Sequence, residues 1–207
     1  MRLARGANTA LTDPTCNVSL AWDAPGGVDA DLTALLLGPD GKVRNDTDMV
    51  FYNQPASPDG HLRYAGKSSS GGTTAAVFTV DLGRLDPAVA TVAFVLSTDG
   101  PTGTTCSDLT LPVLVVSDRT GATAAEYLID GLVGTETALV TVELYRHAGA
   151  WKVRAVGQGY ADGLAGLARD FGVDVTADPA GTADPAALPG PASVDWTNPP
   201  VPAGYEV

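Results

Sequence analysis

Short apolar segments recur through the first 158 residues, and clusters of Gly, Pro, Asp and Ser separate them. Asn17–Trp22 alternates apolar and polar residues in the period of a half-buried strand. Leu32–Leu37 is almost wholly apolar, as in a strand that is covered on both faces. The other strand candidates are Met49–Tyr52, Leu62–Ala65, Ala76–Leu82, Thr91–Ser97, Leu109–Val116, Ala124–Ile129, Ala138–Tyr145 and Trp151–Val156. About ten strands without a repeating strand–helix pattern predict an all-β fold, a two-sheet antiparallel β-sandwich.

Two hairpin turns can be located from their residue types. Pro39-Asp40-Gly41-Lys42 combines the residues that tight turns favour. Gly149 lies between the strand candidates that end at Tyr145 and begin at Trp151. It can adopt the positive φ angle that such a bend requires.

One short helix is predicted close to the end of the sandwich. Leu164, Leu167 and Phe171 fall at positions i, i+3 and i+7, which places them on one helix face. Asp162 stands where a negative charge suits the helix start, and Gly172 stands where glycine commonly ends a helix. We expect this helix to be held by packing on the sandwich.

The composition changes after residue 174, and seven of the fifteen prolines follow that point. The sequence therefore predicts a β-sandwich domain over residues 1–175, followed by a Pro/Ala-rich linker and aromatic tail over residues 176–207. Trp196, Pro199, Pro200 and Tyr205 give the tail a stiff, extended end with apolar surface to bury. Two alternatives are open: the tail lies on its own domain, or it binds a partner protein or a neighbouring subunit.

The charge balance restricts the class of partner. The formal net charge is −12 at pH 7, which disfavours both nucleic acid and anionic lipid surfaces. The sequence shows no signal peptide and no apolar run near the roughly 18 residues of a membrane span. We therefore expect a cytoplasmic protein in which Cys16 and Cys106 are reduced.

Catalytic motifs are not evident. Ser57, Asp59 and His61 lie too close in sequence for a triad, whose members come from separate elements. The glycines of Gly157-Gln158-Gly159-Tyr160 lack the strand–helix frame of a phosphate-binding loop and more simply turn the chain from strand into helix. The sequence therefore predicts no catalytic residue and a non-enzymatic function.

The sharpest local signal is the pair of acidic residues in Val28-Asp29-Ala30-Asp31-Leu32. Side chains two residues apart on an extended backbone point the same way. At about 7 Å and an effective dielectric constant of about 20, two such carboxylates repel by roughly 2 kcal/mol. A hard cation such as Ca²⁺ between them would reverse that repulsion. The alternative interpretation is a pair of solvated aspartates beside a glycine turn.

The most specific segment of the chain is Glu143–Gly172, ELYRHAGAWKVRAVGQGYADGLAGLARDFG. Three shorter motifs are Phe51-Tyr52-Asn53, Ser57-Pro58-Asp59-Gly60 and Trp22-Asp23. Together these segments resemble the TerD family, whose members are linked to tellurite resistance and wider bacterial stress responses, and the similarity covers about residues 3–174. The resemblance implies a β-sandwich module of a tellurite or general stress-response system.

The resemblance also implies a calcium-type acidic site with Asp29, Asp31 and Asn53 as its candidate ligands. Family members that bind Ca²⁺ carry further carboxylates, but this chain has Gly66-Lys67 and Thr73-Thr74-Ala75-Ala76 at those places. We therefore expect weak or absent Ca²⁺ binding, with Lys67 able to pair with the aspartates instead. Two functions stay open: a stress-response binding module, or a scaffold subunit that has lost Ca²⁺ binding and docks through its tail.

Overall fold

Two antiparallel sheets and one short helix form the structure, a computed structural model that describes residues 1–23, 28–99 and 103–173. Within these residues the strands are β1 (Asn8–Leu11), β2 (Thr15–Asp23), β3 (Asp29–Leu37), β4 (Met49–Val50), β5 (Leu62–Ser70), β6 (Thr73–Asp81), β7 (Thr91–Asp99), β8 (Thr110–Asp118), β9 (Thr123–Leu128), β10 (Ala138–His147) and β11 (Ala150–Tyr160). One sheet has the order β1-β11-β10-β7-β3-β4, and the other has the order β5-β6-β2-β8-β9. The predicted all-β, two-sheet antiparallel β-sandwich is confirmed.

The main core lies between the inner faces of the two sheets. In β2 every second residue is buried, and Val18 and Leu20 have no exposed surface. Phe78 from β6 contacts Phe94 from β7 across the gap, with ring centroids 5.5 Å apart in an edge-on arrangement. Because fully burying an aromatic or aliphatic side chain contributes about 1.5–3 kcal/mol, this layer supplies most of the driving force for folding.

A second, smaller core covers the outer face of the six-stranded sheet. It contains Leu35 and Leu37 from β3, Val95 from β7 and Leu167 from the helix. The inner residues of β3 belong to the main core, so the second half of this strand, from Ala34 to Leu37, is covered on both faces. That arrangement confirms the prediction for most of Leu32–Leu37 and explains why the sequence there is almost wholly apolar.

The helix α1 (Gly163–Phe171) ends at Gly172, which adopts the left-handed conformation with φ of 71°. The predicted apolar stripe was partly wrong, because Leu164 is 53% exposed. The helix instead turns Gly163, Gly166 and Leu167 toward its neighbours. A Cβ atom on Gly163 would meet the Thr137 hydroxyl, and one on Gly166 would meet the Asp162 carboxylate at the helix start, so both glycines leave room for a close side chain while Leu164 faces solvent.

The sequence suggested that the glycines near the end of β11 turn the chain from strand into helix, and this prediction was wrong. They lie within the strand, where the pairing with β10 shifts register. Gly157 has φ of 65°, and a Cβ atom there would lie 2.4 Å from the Tyr127 Oη. A Cβ atom on Gly159 would lie 2.2 Å from the Glu136 Cγ. These glycines therefore serve a β-bulge and close side-chain approach.

Two further differences concern β1 and β4. The four-residue strand β1 was not predicted; it pairs with β11 at the edge of the sheet. The strand expected over Met49–Tyr52 is shorter, because Phe51 instead turns back to pair with Gln54. The predicted boundary at residue 175 and the tail residues Trp196, Pro199, Pro200 and Tyr205 lie outside the described residues.

No helix in the described part of the chain has the length and apolar character needed to cross a bilayer.

An ion pair between partly exposed Arg44 and fully buried Asp48 holds the segment between β3 and β5. Asp48 has no exposed surface, and Arg44 donates to both of its carboxylate oxygens, at 2.7 Å from Nε and 2.8 Å from Nη2. The backbone amide of Arg44 donates to the same carboxylate at 3.0 Å. The guanidinium also bonds Asp86, and these carboxylates raise the pKa of Arg44 despite its partial burial. Arg44 therefore neutralises a charge that could not stay buried alone.

We predict that Arg44→Met lowers the free energy of unfolding by about 3 kcal/mol, because it leaves the Asp48 carboxylate buried without its cation. Urea denaturation of both proteins measures the difference. The matched control is Arg84→Met, which removes an exposed arginine and should cost less than about 0.5 kcal/mol. Equal midpoints for the two variants would contradict the structural role of the pair.

Candidate functional site

Three charged side chains meet where β3 begins, and we call Asp29, Asp31 and Lys67 the acidic rim. Lys67 Nζ donates to Asp29 Oδ1 and Oδ2, both at 2.9 Å, and to Asp31 Oδ1 at 2.9 Å. It also lies 3.3 Å from the backbone oxygen of Ala30. The two aspartates belong to the six-stranded sheet and the lysine to the five-stranded sheet. The rim is thus an electrostatic link between the two layers.

The β5 strand brings Lys67 to the rim through a bulge. Its pairing with β6 runs Tyr64 with Phe78 and then Gly66 with Val77, so Ala65 is an extra residue. A one-residue insertion reverses which face the following side chains occupy. Lys67 consequently pairs with Ala76, which is fully buried in the main core. The lysine stem therefore starts on the core side of its sheet and extends toward β3.

The aspartates reach the rim because the first half of β3 is open on one side. In the described residues β4 pairs only with Ala34 and Leu35, so no strand covers Asp29 and Asp31 on that side. Ala30, between the two aspartates, is fully buried and fixes the direction of both acidic side chains. The side chains are 62% exposed for Asp29, 29% for Asp31 and 27% for Lys67.

The charges of the rim stabilise one another. Burial alone would raise the pKa of Asp29, but hydrogen bonds from Lys67 and from the Ala30 amide, with the lysine charge, lower it below its usual value. Burial would likewise lower the pKa of Lys67, but its hydrogen bonds to Asp29 and Asp31 raise it above its usual value. The lysine is therefore charged across the physiological pH range.

The geometry can be tested against the Ca²⁺ site that the sequence suggested. Ca²⁺ takes roughly six to eight oxygen ligands at about 2.3–2.6 Å. Here the oxygens of Asp29, Ala30 and Asp31 converge on one point, and the Lys67 ammonium occupies that point. No group of three His, Cys, Asp or Glu side chains suited to a metal occurs in the described ranges. As arranged, these residues do not fit Ca²⁺.

Asn53, the third candidate ligand, is not joined to the aspartates. It is exposed in the turn between Phe51 and Gln54, and its side chain makes no hydrogen bond within the described part of the chain. The pairing of β4 with β3 nevertheless directs the chain toward the Asp31 end of β3, since Val50 pairs with Ala34. The chain turns back at Phe51 to pair with Gln54, however, so Asn53 lies in that turn and is not part of the rim.

The Ser57–Gly60 motif forms a structural hairpin. The Ser57 hydroxyl donates to Asp59 Oδ1 at 2.6 Å, and the His61 backbone amide donates to the same oxygen at 3.0 Å. The serine hydroxyl is therefore bonded to a carboxylate and not to the His61 imidazole. Asp59 also accepts a hydrogen bond from the Asp86 backbone amide at 3.1 Å. Because Asp86 in turn pairs with Arg44, this bond connects the hairpin to the Arg44 ion pair. This network was not predicted from the sequence. The four-residue spacing of Arg44 and Asp48 is the sequence feature that could have indicated their ion pair.

The two thiols have the character of structural cysteines. Cys16 and Cys106 are free and buried. Burial raises the pKa of each thiol to about 12, with further contributions from Asp13 at Cys16 and Glu136 at Cys106. A thiol with so high a pKa is a poor nucleophile near neutral pH.

Comparisons with known proteins agree on one family. The TerD domain model matches residues 1–171. The chain is 32% identical to the tellurium resistance protein TerD of Serratia marcescens, over 84% of this chain and 98% of that protein. It is 31% identical to general stress protein 16U of Bacillus subtilis, over 84% of this chain and 97% of that protein. A solved structure of a protein of unknown function is 25% identical and covers 76% of this chain and 96% of its own, with a TM-score of 0.62.

We predict that Lys67→Met lowers the free energy of unfolding by roughly 1 kcal/mol at pH 7 and by less at pH 3. The pKa of Asp29 is depressed in the folded state, so its stabilising contribution exists above the unfolded value near 4 and disappears as the pH falls through the folded value. Urea unfolding at both pH values checks this, with Lys152→Met as the control. An equal loss at pH 3 and pH 7 would instead point to lost packing of the lysine stem.

Proposed function

The chain belongs to the TerD family, and on this basis we propose that it is a non-enzymatic, cytoplasmic module of a bacterial tellurite and general stress response that acts by binding. The names of its relatives supply the biological setting, since one is a tellurium resistance protein and another a general stress protein. The acidic rim carries the binding role. Charged side chains from both sheets converge there, partly exposed, within hydrogen-bonding distance.

The chemistry of the reactive side chains supports a role without catalysis. The thiols of Cys16 and Cys106 are buried, and their pKa values are raised to about 12. The Ser57 hydroxyl donates to Asp59 inside a hairpin, where it has no imidazole base. These groups have the environments of structural residues.

Ca²⁺ is the ligand that the family resemblance implies for the rim, and in this proposal the wild-type chain binds it weakly or not at all. The aspartate oxygens that a cation would need already accept hydrogen bonds from Lys67. Asn53 contributes no contact to the rim. Even a weak Ca²⁺ site would therefore require the side chains of Lys67 and Asn53 to rearrange.

A scaffold or assembly subunit is the second candidate, and the Lys67 contact favours it because a rim neutralised by lysine has less need of a metal. In this version the tail carries the docking. The sequence at Trp196, Pro199, Pro200 and Tyr205 predicts a stiff segment with aromatic anchors, which would suit groove binding or strand addition to a partner protein or a neighbouring subunit.

We predict that deleting the gene lowers the tellurite concentration that the host bacterium tolerates by several fold, and that a plasmid copy restores it. A copy with Asp29→Asn and Asp31→Asn should fold, yet fail to restore tolerance, because the rim has lost both of its negative charges and keeps only the Lys67 ammonium. The matched control carries Asp46→Asn and Asp130→Asn, which remove two exposed carboxylates elsewhere. Growth in a tellurite dilution series measures the effect. Full tolerance in the deletion strain would refute the stress-response role, and full rescue by the rim variant would refute the role of the rim.

For the scaffold candidate, we predict that removing residues 176–207 lowers the assembly mass measured by light scattering, while the melting temperature changes by less than about 2 °C. Full-length chain with Trp196→Ser and Tyr205→Ser should behave like the truncated chain, because the aromatic anchors are lost. The same monomeric mass and the same pulldown partners in all three proteins would count against docking through the tail.

A further inference from the structure

Lys67 stands where the family resemblance places an acidic residue, and its position suggests more than a lost ligand. We propose that the Lys67 ammonium is the resident cation of the acidic rim, a tethered competitor that keeps free divalent cations out. The chain then holds its rim together by an internal ion pair and without a metal. This inference rests on the proposed function because it concerns the same rim and states which cation the rim holds.

The first support is that one ammonium takes the oxygens that a cation would need. It lies 2.9 Å from both oxygens of Asp29, 2.9 Å from Asp31 Oδ1 and 3.3 Å from the Ala30 carbonyl oxygen. An ammonium has three N–H donors, so this arrangement uses its full bonding capacity. A divalent ion would have to take these same atoms.

The second support is that the backbone aims the lysine at this point. The bulge at Ala65 moves Lys67 onto the core side of β5, opposite buried Ala76. Gly66, directly before it, has φ of 124°, a backbone angle that side-chain-bearing residues rarely adopt. A surface lysine that met the aspartates by chance would not need such a local rearrangement. The strand geometry thus predisposes the ion pair.

The third support is electrostatic exclusion. The two aspartates carry two negative charges, and the lysine neutralises one of them. If a divalent cation entered beside the ammonium, two centres of positive charge would lie within a few ångströms in a partly buried setting. The lysine and the metal are therefore mutually exclusive. Removing the ammonium should make the same oxygens available to an oxygen-preferring cation such as Ca²⁺.

The test compares wild type with Lys67→Asp, Lys67→Met, Lys67→Arg and the control Lys152→Met, using CaCl₂ as the probe. We expect 5 mM CaCl₂ to raise the melting temperature of Lys67→Asp by about 3 °C or more, with binding heat in calorimetry. Wild type, Lys67→Arg and Lys152→Met should shift by less than about 1 °C. Lys67→Met should melt below wild type without Ca²⁺ and recover part of the loss with it.

Two other outcomes would refute the inference. Wild type with the same Ca²⁺ response as Lys67→Met would show that the ammonium excludes nothing. No response in either Lys67→Asp or Lys67→Met would show that the oxygens do not form a cation site once freed. If Lys67→Asp folds only when CaCl₂ is added, that result supports the inference. All readouts use purified protein, so they are independent of the tellurite phenotype, which alone tests the proposed function.

Discussion

The contact between the inner faces of the two sheets is the interaction on which the rest of the structure depends. Phe78 meets Phe94 across the gap, and Val18 and Leu20 are fully buried beside them. Because buried aromatic and aliphatic groups pack closely, they determine how far apart the sheets lie and which strand ends face one another. Lys67 and Asp31 are 36 residues apart in sequence, and they meet because this packing brings β5 and β3 together at one margin.

The acidic rim is a local solution to an electrostatic problem that the family resemblance makes visible. Two carboxylates on neighbouring positions of a strand repel each other, and a cation must lie between them or water must screen them. In this chain a lysine from the opposite sheet supplies the cation. A basic side chain also pairs with a carboxylate at Asp48, where Arg44 neutralises a fully buried charge. In a chain with a net charge of −12, two of its few basic residues are thus committed to internal pairs.

Most of the strands and the two-sheet arrangement could be predicted because they follow from local patterns. The alternation in Asn17–Trp22 and the continuous apolar run in Leu32–Leu37 each matched the burial observed in β2 and β3. The four-residue strand β1 was not predicted, because it becomes a strand through its pairing with β11 and its own sequence does not specify one. The exposure of Leu164 was not predicted because the spacing of apolar residues does not specify how a helix is rotated about its axis, and here the helix buries Leu167 and Ala168.

For the candidate site, the sequence by itself determined which residue types were present. It supplied paired aspartates at Asp29 and Asp31, and a lysine at Lys67 where the family resemblance implies an acidic residue. Only the tertiary structure decided that Lys67 bonds both aspartates while Asn53 stays apart. The reason is that the bulge at Ala65 reverses the side-chain alternation of β5, and sheet packing sets the distance between the strands. Periodicity in a sequence can indicate a strand, but partners across a sandwich are chosen by how the two layers fit.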